Sequence, residues 1–170
     1  MTTKDLSIKW LAYALALLVV WFADAYVLSA FPLHSIKPML LPLAAMAVAT
    51  LEGAVGGAGF GIGVGVLFDA ATPGVPGIPV LLMSLLGLGC GLLCQYVLRQ
   101  DLLGCAVNCA IALCAIDALR VTVRLLTGAA PLHAMMSLAA REIAWSLCFV
   151  PVVYLIFRWV FHRVPKATVL

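Results

Sequence analysis

Residues 52–79, EGAVGGAGFGIGVGVLFDAATPGVPGIP, form the stretch that decides the fold. Glycine recurs there at four-residue intervals, which places Gly53, Gly57, Gly61 and Gly65 on one face of a helix, called the glycine face below. Each interior glycine costs a water-exposed helix about 1 kcal/mol relative to alanine. In a bilayer, an unravelled backbone would leave amide groups unsatisfied at several kcal/mol each, so the helix persists. The stretch therefore predicts a membrane helix with a flat face for a closely packed neighbour.

The composition of the chain is typical of a membrane protein. Of its 170 residues, 65% are hydrophobic and 10% are charged, and the mean hydropathy is +1.18. A soluble domain is about half apolar and about a quarter charged, so these values predict a polytopic membrane protein. The net charge of +3 is small and scattered along the chain, which argues against nucleic-acid binding.

We expect an all-α fold with six transmembrane helices in a single domain, residues 1–170. A helix needs about 20 apolar residues to cross a bilayer, and polar residues, prolines and glycines divide the apolar sequence into runs of suitable length. The predicted spans are residues 10–30, 38–50, 54–68, 80–98, 102–126 and 135–161.

The second and third predicted spans are short. At 1.5 Å per residue, residues 39–50 cover about 20 Å, less than the roughly 30 Å hydrocarbon core of a bilayer. Little more than Glu52 and Gly53 separates this run from the glycine-rich helix, which predicts an antiparallel helical hairpin. Three glycines of the fourth span could receive the glycine face: Gly87, Gly89 and Gly91.

The basic residues favour cytoplasmic termini. Six spans place both termini on one side of the membrane, together with six of the ten lysines and arginines. Cytoplasmic loops and tails carry an excess of these residues. The six are Lys4, Lys9, Arg99, Arg158, Arg163 and Lys166.

The order of these features resembles the MreD family of bacterial rod-shape-determining membrane proteins over nearly the whole chain. A basic residue and proline, Lys37-Pro38, follow the first span, and the glycine-rich helix closes in a Gly-x-x-x-Asp motif at residues 65–69. A turn then leads to Gly77 at the start of the next span, and Asp117 lies inside the fifth.

This resemblance implies a function that composition does not supply. MreD-like proteins are non-enzymatic members of the cell-elongation machinery, which couples cytoplasmic actin-like filaments to peptidoglycan synthesis outside the membrane. The implied partner is MreC, and the implied indirect partners are MreB filaments, the RodA glycosyltransferase and its class B transpeptidase. The implied location is the bacterial inner membrane, among membrane lipids.

Substrate-binding subunits of energy-coupling-factor (ECF) vitamin transporters are the alternative family. They also have six short helices, and they too contain glycine-rich helices that end in aspartate. Such subunits dock their partner through an Ala-x-x-x-Ala face on the first span, and Ala12 and Ala16 have that spacing here. Binding of a water-soluble vitamin would favour this alternative.

Five charged residues lie near the same end of the last two predicted spans. Asp117, Arg120 and Arg124 share one face of the fifth span, and Arg141 and Glu142 enter the sixth at comparable depth. A charge at mid-bilayer costs on the order of 2.5 to 3.5 kcal/mol, so these groups need partners, a wet cavity or the interface. Two interpretations stay open: a structural ion-pair cluster that fixes the two helices, or a polar cavity that receives a partner segment or an anionic lipid head group.

The remaining polar residues predict no catalytic centre. Asp69 either accepts hydrogen bonds from the Pro/Gly turn or contacts a partner at the helix end. Glu52 is interpreted as a solvated or helix-capping carboxylate, and Asp24 as facing the bundle interior. The six cysteines lie mostly within predicted spans without adjacent histidines, which predicts reduced packing residues. We therefore expect no catalytic residue, metal or cofactor, and no enzymatic activity.

Overall fold

The computed structural model describes residues 3–27, 38–71, 77–98, 100–126 and 132–163. These residues form five long helices, and no strand occurs among them. The helices are α1 (Thr3–Phe22, continued by a π-helical turn Ala23–Val27), α2 (Leu40–Ala71), α3 (Ile78–Tyr96), α4 (Leu102–Leu126) and α5 (Leu132–Arg163). Each is long and apolar enough to cross a membrane. The chain is therefore an all-helical, multi-pass membrane protein, as its composition predicts.

Helix α2 contains a break at Gly53. The backbone angles there, φ 81° and ψ −166°, lie in a region that glycine adopts readily and other residues rarely do. A β-carbon built on Gly57 would lie 2.6 Å from the β-carbon of Ala49. In an uninterrupted helix, residues eight apart are separated by roughly 12 Å along the axis. The chain therefore changes direction sharply at Gly53.

The number of long helices differs from the six predicted spans. The predicted spans 38–50 and 54–68 correspond to the two parts of α2 that lie before and after the break at Gly53. Helix α1 begins at Thr3, seven residues before the predicted start of the first span, whereas the other described boundaries lie within three residues of the prediction. Residues 28–30, assigned to the first predicted span, lie outside the described residues.

The glycine face lies against α3. A β-carbon on Gly57 would lie 2.5 Å from the carbonyl oxygen of Gly87, and one on Gly65 would lie 2.5 Å from the α-carbon of Val80. Real β-carbons essentially never approach other atoms so closely, so only glycine permits this spacing of the two backbones. All four members of the face contact α3: Gly53, Gly57, Gly61 and Gly65.

Two of the three α3 glycines receive this face. Gly87 meets Gly57, and a β-carbon on Gly91 would lie 2.5 Å from the α-carbon of Ala54. Gly89 has no atom within 4 Å of a β-carbon placed on it, so it lies outside the contact. The C-terminal half of α2 and α3 thus run antiparallel with their backbones touching.

Residues 38–51 form the buried centre of the bundle. Every one of them is buried, and two side chains hold the N-terminal end of this segment. Ser146 Oγ on α5 accepts a hydrogen bond from the N–H of Met39 at 3.0 Å, and Asp24 Oδ1 accepts one from Leu40 at 3.4 Å. Because the first turn of a helix leaves its N–H groups without intrahelical partners, these contacts satisfy donors that would otherwise be unpaired.

Contacts between distant residues define two ends of the bundle. At one, the Lys9 end, the start of α1 meets Glu52 and the last turns of α5, where Phe161 lies 5.5 Å from the Lys9 ammonium. At the other, the Arg120 end, α1 meets the start of α2, and Arg120 on α4 meets Glu142 on α5. Charged side chains gather at both ends.

Candidate functional site

The Arg120 end carries a cluster of charged side chains between α4 and α5. Asp117 and Arg120 lie three residues apart on α4, with 3.9 Å between Asp117 Oδ1 and Arg120 Nη1. Glu142 Oε1 on α5 approaches the same nitrogen at 3.5 Å. One guanidinium is thus shared by two carboxylates at distances longer than a good charged hydrogen bond, which is about 2.7 to 2.9 Å.

Asp117 is the most buried member of this cluster. Its residue is 6% exposed, and its Oδ2 atom is buried without a hydrogen-bond partner among the described residues. Burying a carboxylate oxygen without a donor is costly, so an N–H or O–H group that reached this atom would stabilise it.

Three cavities adjoin Arg120. The first, about 290 Å³, lies between α2, α3 and α4 and is apolar apart from Arg120 and Arg124. The second, about 420 Å³, lies between α1, the start of α2 and α5, and includes Trp21, Asp24 and Glu142. The third, about 180 Å³, lies between α4 and α5 and is lined by all four charged groups of this region: Asp117, Arg120, Arg124 and Glu142.

An aromatic ring on α2 completes the surroundings of Arg120. The guanidinium carbon lies 5.6 Å from the centroid of the Phe68 ring, which is a cation–π distance. Phe68 lines both the first and the second cavity. Three helices therefore position Arg120: α4 carries it, α5 supplies Glu142 and α2 supplies Phe68.

The predicted site residues do not all lie in this cluster. Asp117, Arg120 and Glu142 come together, and Arg124 lines two of the same cavities. Arg141, expected at the same depth, has an exposed side chain. Asp69 Oδ2 accepts a hydrogen bond from the N–H of Gly77 at 3.0 Å, so it contacts the connection between α2 and α3.

A second charged network, at the Lys9 end, was missed by sequence reasoning. Lys9 Nζ lies 2.7 Å from Glu52 Oε2, and the Tyr13 hydroxyl donates to Glu52 Oε1 at 2.6 Å. Glu52 is therefore a paired and largely buried carboxylate, and its interpretation as a solvated or capping group is wrong. The turn that breaks α2 at Gly53 carries Glu52 inward to the start of α1. One feature of the sequence could have predicted this pair: Lys9 and Glu52 carry opposite charges and lie on the same predicted side of the membrane.

Aromatic rings enclose this network. The Tyr13 ring stacks on Phe157, with centroids 6.1 Å apart, and meets Phe60 edge to face at 6.2 Å. Both Tyr13 and Phe157 are fully buried. The network thus has short, complete contacts and apolar walls, which are features of a structural ion pair.

A third polar group lies between α3, α4 and the centre of α2. The two N–H donors of Asn108 Nδ2 are shared among three acceptors: the carbonyl oxygen of Cys90 at 3.2 Å, Thr50 Oγ1 at 3.3 Å and Cys94 Sγ at 2.9 Å. Asn108 Oδ1 is buried without a described partner. These contacts tie α4 to both α2 and α3.

The cysteines form no disulfide. Four of the six are buried, in two pairs whose members are four residues apart: Cys90 with Cys94 on α3, and Cys105 with Cys109 on α4. The Sγ atoms of Cys105 and Cys109 are 4.0 Å apart, which is a non-bonded contact. Within the described part of the chain, no group of three or more His, Cys, Asp or Glu side chains is arranged to hold a metal ion.

The Arg120 end is therefore the candidate functional site. It combines charged side chains, a buried acceptor without a described donor and three cavities, whereas the contacts at the Lys9 end are satisfied within the protein. Its chemistry suits recognition of a polar or charged group at the edge of the membrane. No protein-family model, curated protein or solved structure matches the chain.

Proposed function

We propose that this protein is a non-enzymatic scaffold subunit of the bacterial cell-elongation complex, in the inner membrane. It binds MreC and so links MreB filaments to the RodA glycosyltransferase and its class B transpeptidase. The resemblance of the sequence to the MreD family suggests these partners. An open glycine surface on α2 is the structural observation that supports a scaffold role.

The open glycine surface comprises Gly59 and Gly63, four residues apart on the C-terminal half of α2. A β-carbon on either would have no atom within 4 Å, and the flanking Val55 and Ile62 are exposed. Small residues at this spacing let a second membrane helix approach closely, because dispersion contacts and not hydrophobic exclusion drive helix association in lipid. The opposite face of the same helix is already filled by α3, so this surface remains available to a partner.

The proposed topology has six membrane crossings. The contact between Ala49 and Gly57 supports an antiparallel hairpin within α2, in which residues 40–52 and 54–71 each cross the membrane. Both termini then lie on one side, together with most of the basic residues, and that side is the cytoplasm. Cysteine labelling of each end in intact and permeabilised cells tests this orientation.

Affinity purification from native membranes tests the scaffold role. The tagged protein is expected to recover MreC, and a double substitution Gly59→Leu/Gly63→Leu is expected to reduce that recovery by filling the surface with side chains. Gly89→Leu is the matched control, because Gly89 also has open space around it but lies on α3. Leucine raises helix propensity at all three positions, so the variants are expected to fold.

Two results would contradict the proposal. Unchanged MreC recovery by the double variant would show that the open glycine surface is not the docking site. Absence of MreC from the wild-type eluate, with the protein folded and abundant, would reject membership of the elongation complex.

A substrate-binding subunit of an ECF vitamin transporter is a second candidate, favoured by the 420 Å³ cavity. This volume lies within the range of small-ligand sites, about 300 to 1,000 Å³. Its lining combines an aromatic ring, Trp21, with charged groups that include Asp24 and Glu142. A thermal-shift screen with water-soluble vitamins distinguishes the candidates, since strong stabilisation by one vitamin at nanomolar concentration would favour the transporter subunit.

A further inference from the structure

We propose that the apolar and the charged cavities on either side of Arg120 and Arg124 together form a binding site for one membrane lipid. The head group of this lipid contains a phosphate and a primary ammonium, as in phosphatidylethanolamine. The lipid chain lies in the cleft between α2, α3 and α4, and the head group lies at the charged cavity between α4 and α5. This site is separate from the open glycine surface and does not depend on the scaffold role.

The cleft has the chemistry of a site for an acyl chain. Apart from its two arginines, its described lining is apolar and includes Phe68, Leu82 and Ile116. Two of its lining residues are about half exposed, Ile78 at 48% and Val123 at 53%. The cleft therefore opens onto the outer surface of the bundle, where lipid chains surround a membrane protein.

The two arginines lie at the depth of lipid head groups. Helix α4 ends at Leu126, so Arg124 and Arg120 are about 3 and about 9 Å from its last residue along the axis. A guanidinium binds phosphate oxygens through two parallel N–H donors, which makes arginine the usual partner of this group. Both arginines line the apolar cleft and the charged cavity, so a phosphate between them joins the two spaces.

The carboxylates select for the ammonium. Asp117 and Glu142 line the charged cavity, and Asp117 Oδ2 is buried without a donor. A primary ammonium carries three donors and one positive charge, so it can donate to both carboxylates that line the cavity. A quaternary ammonium has no N–H and cannot do so.

Charge balance favours a zwitterionic head group over an anionic one. The two carboxylates and two guanidiniums of the cavity sum to zero. A head group with one phosphate and one ammonium also carries no net charge, so its entry leaves the cavity neutral. A purely anionic head group would add an uncompensated negative charge near two carboxylates at a partly desolvated site.

Native mass spectrometry of the full-length protein tests this site. The protein is reconstituted in nanodiscs of equimolar phosphatidylethanolamine, phosphatidylglycerol and phosphatidylcholine, and the lipid retained after release is identified. We expect phosphatidylethanolamine to be enriched about tenfold over each of the others, the ratio given by about one charged hydrogen bond. Equal retention of the three lipids, preferential retention of phosphatidylglycerol, or no retained lipid would each overturn the proposal.

Substitutions separate the two halves of the head-group site. Arg124→Gln is expected to lower retention of every phospholipid, whereas Asp117→Asn is expected to remove the preference for phosphatidylethanolamine and leave phosphate binding. Arg141→Gln is the matched control, because Arg141 is exposed like Arg124 but lines neither the cleft nor the charged cavity. Glu142→Gln tests the ammonium contact again and replaces Asp117→Asn if that variant does not fold. The site would be overturned if the Arg141→Gln control lost retained lipid, or if Arg124→Gln retained as much lipid as the wild-type protein.

Discussion

Two charged networks at opposite ends of the bundle contain similar groups but differ in how completely those groups are paired. At the Lys9 end, the Glu52 carboxylate accepts hydrogen bonds from the Lys9 ammonium at 2.7 Å and from the Tyr13 hydroxyl at 2.6 Å. At the Arg120 end, Asp117 and Glu142 share one guanidinium at 3.9 and 3.5 Å. The cations differ in exposure, at 10% for the Lys9 side chain and 35% for that of Arg120, whereas the carboxylates are similarly buried, at 16% for Glu52, 8% for Asp117 and 20% for Glu142.

The surroundings explain the difference. Both Glu52 oxygens have a partner at 2.7 Å or less, and the Tyr13 ring that supplies one of them packs against Phe60 and Phe157. Cavities adjoin Arg120 on three sides, and Asp117 Oδ2 lacks a donor. A network whose polar groups are all paired with one another holds helices in place. A network with unpaired acceptors and donors can also bind a ligand. We therefore expect substitutions at the Lys9 end to affect stability more than those at the Arg120 end.

The largest effect is expected for Glu52→Gln. This substitution leaves the Lys9 ammonium largely buried beside a neutral amide, and removing one partner of a buried ion pair typically costs about 3 to 5 kcal/mol. The free energy of unfolding, measured by SDS titration in mixed micelles, should fall by that amount.

The double variant Lys9→Met/Glu52→Gln is the control for this prediction. It removes both charges, so no ion remains unpaired, and most of the lost stability should return. If the double variant were no more stable than Glu52→Gln alone, the unpaired Lys9 charge would not be the source of the effect.

The glycine-rich stretch shows how much of the fold the sequence could predict. The four-residue spacing identified the face that contacts α3, because a bilayer helix with aligned glycines can serve close packing. Gly87 and Gly91 contact this face and Gly89 does not. Which of the three would do so depends on how α3 is rotated about its axis, and residue spacing alone does not define that rotation. The predicted count of six spans differs from the five long helices because a break at one residue, Gly53, can be read either as a turn or as a kink.

The sequence predicted which charged residues of the candidate site could meet, but not their geometry. Asp117, Arg120 and Arg124 follow one another at helical spacing, so their proximity was readable from the sequence. The approach of Glu142 depends on how α5 packs, and the contact of Arg120 with Phe68 joins residues 52 positions apart. Cavities depend on the shapes of several helices together, so no local pattern predicts them.

An intermediate effect is expected for Arg120→Met. The substitution leaves Asp117 and Glu142 without their shared partner, but the cluster is only partly desolvated, because the Arg120 and Glu142 side chains are 35% and 20% exposed. The cost should therefore lie between that of an exposed pair, up to about 1 kcal/mol, and that of a buried one. We expect a loss of about 2 kcal/mol in the same SDS titration, with Arg120→Lys retaining most of the stability. A loss as large as that of Glu52→Gln would show that the Arg120 end is also closed.

The smallest effects are expected from removing the aromatic partner of each cation. Phe161 lies 5.5 Å from Lys9 Nζ, and Phe68 lies 5.6 Å from the Arg120 guanidinium, so the two contacts have nearly equal lengths. A cation–π contact contributes about 0.5 to 1 kcal/mol at exposed sites and about 2 kcal/mol when the cation is desolvated. Because Lys9 is buried and Arg120 is about one third exposed, Phe161→Leu should cost about 1 kcal/mol more than Phe68→Leu in the unfolding titration. Leucine keeps an apolar contact at both positions, so the difference isolates the ring, and equal losses would mean that the two cations are equally hydrated.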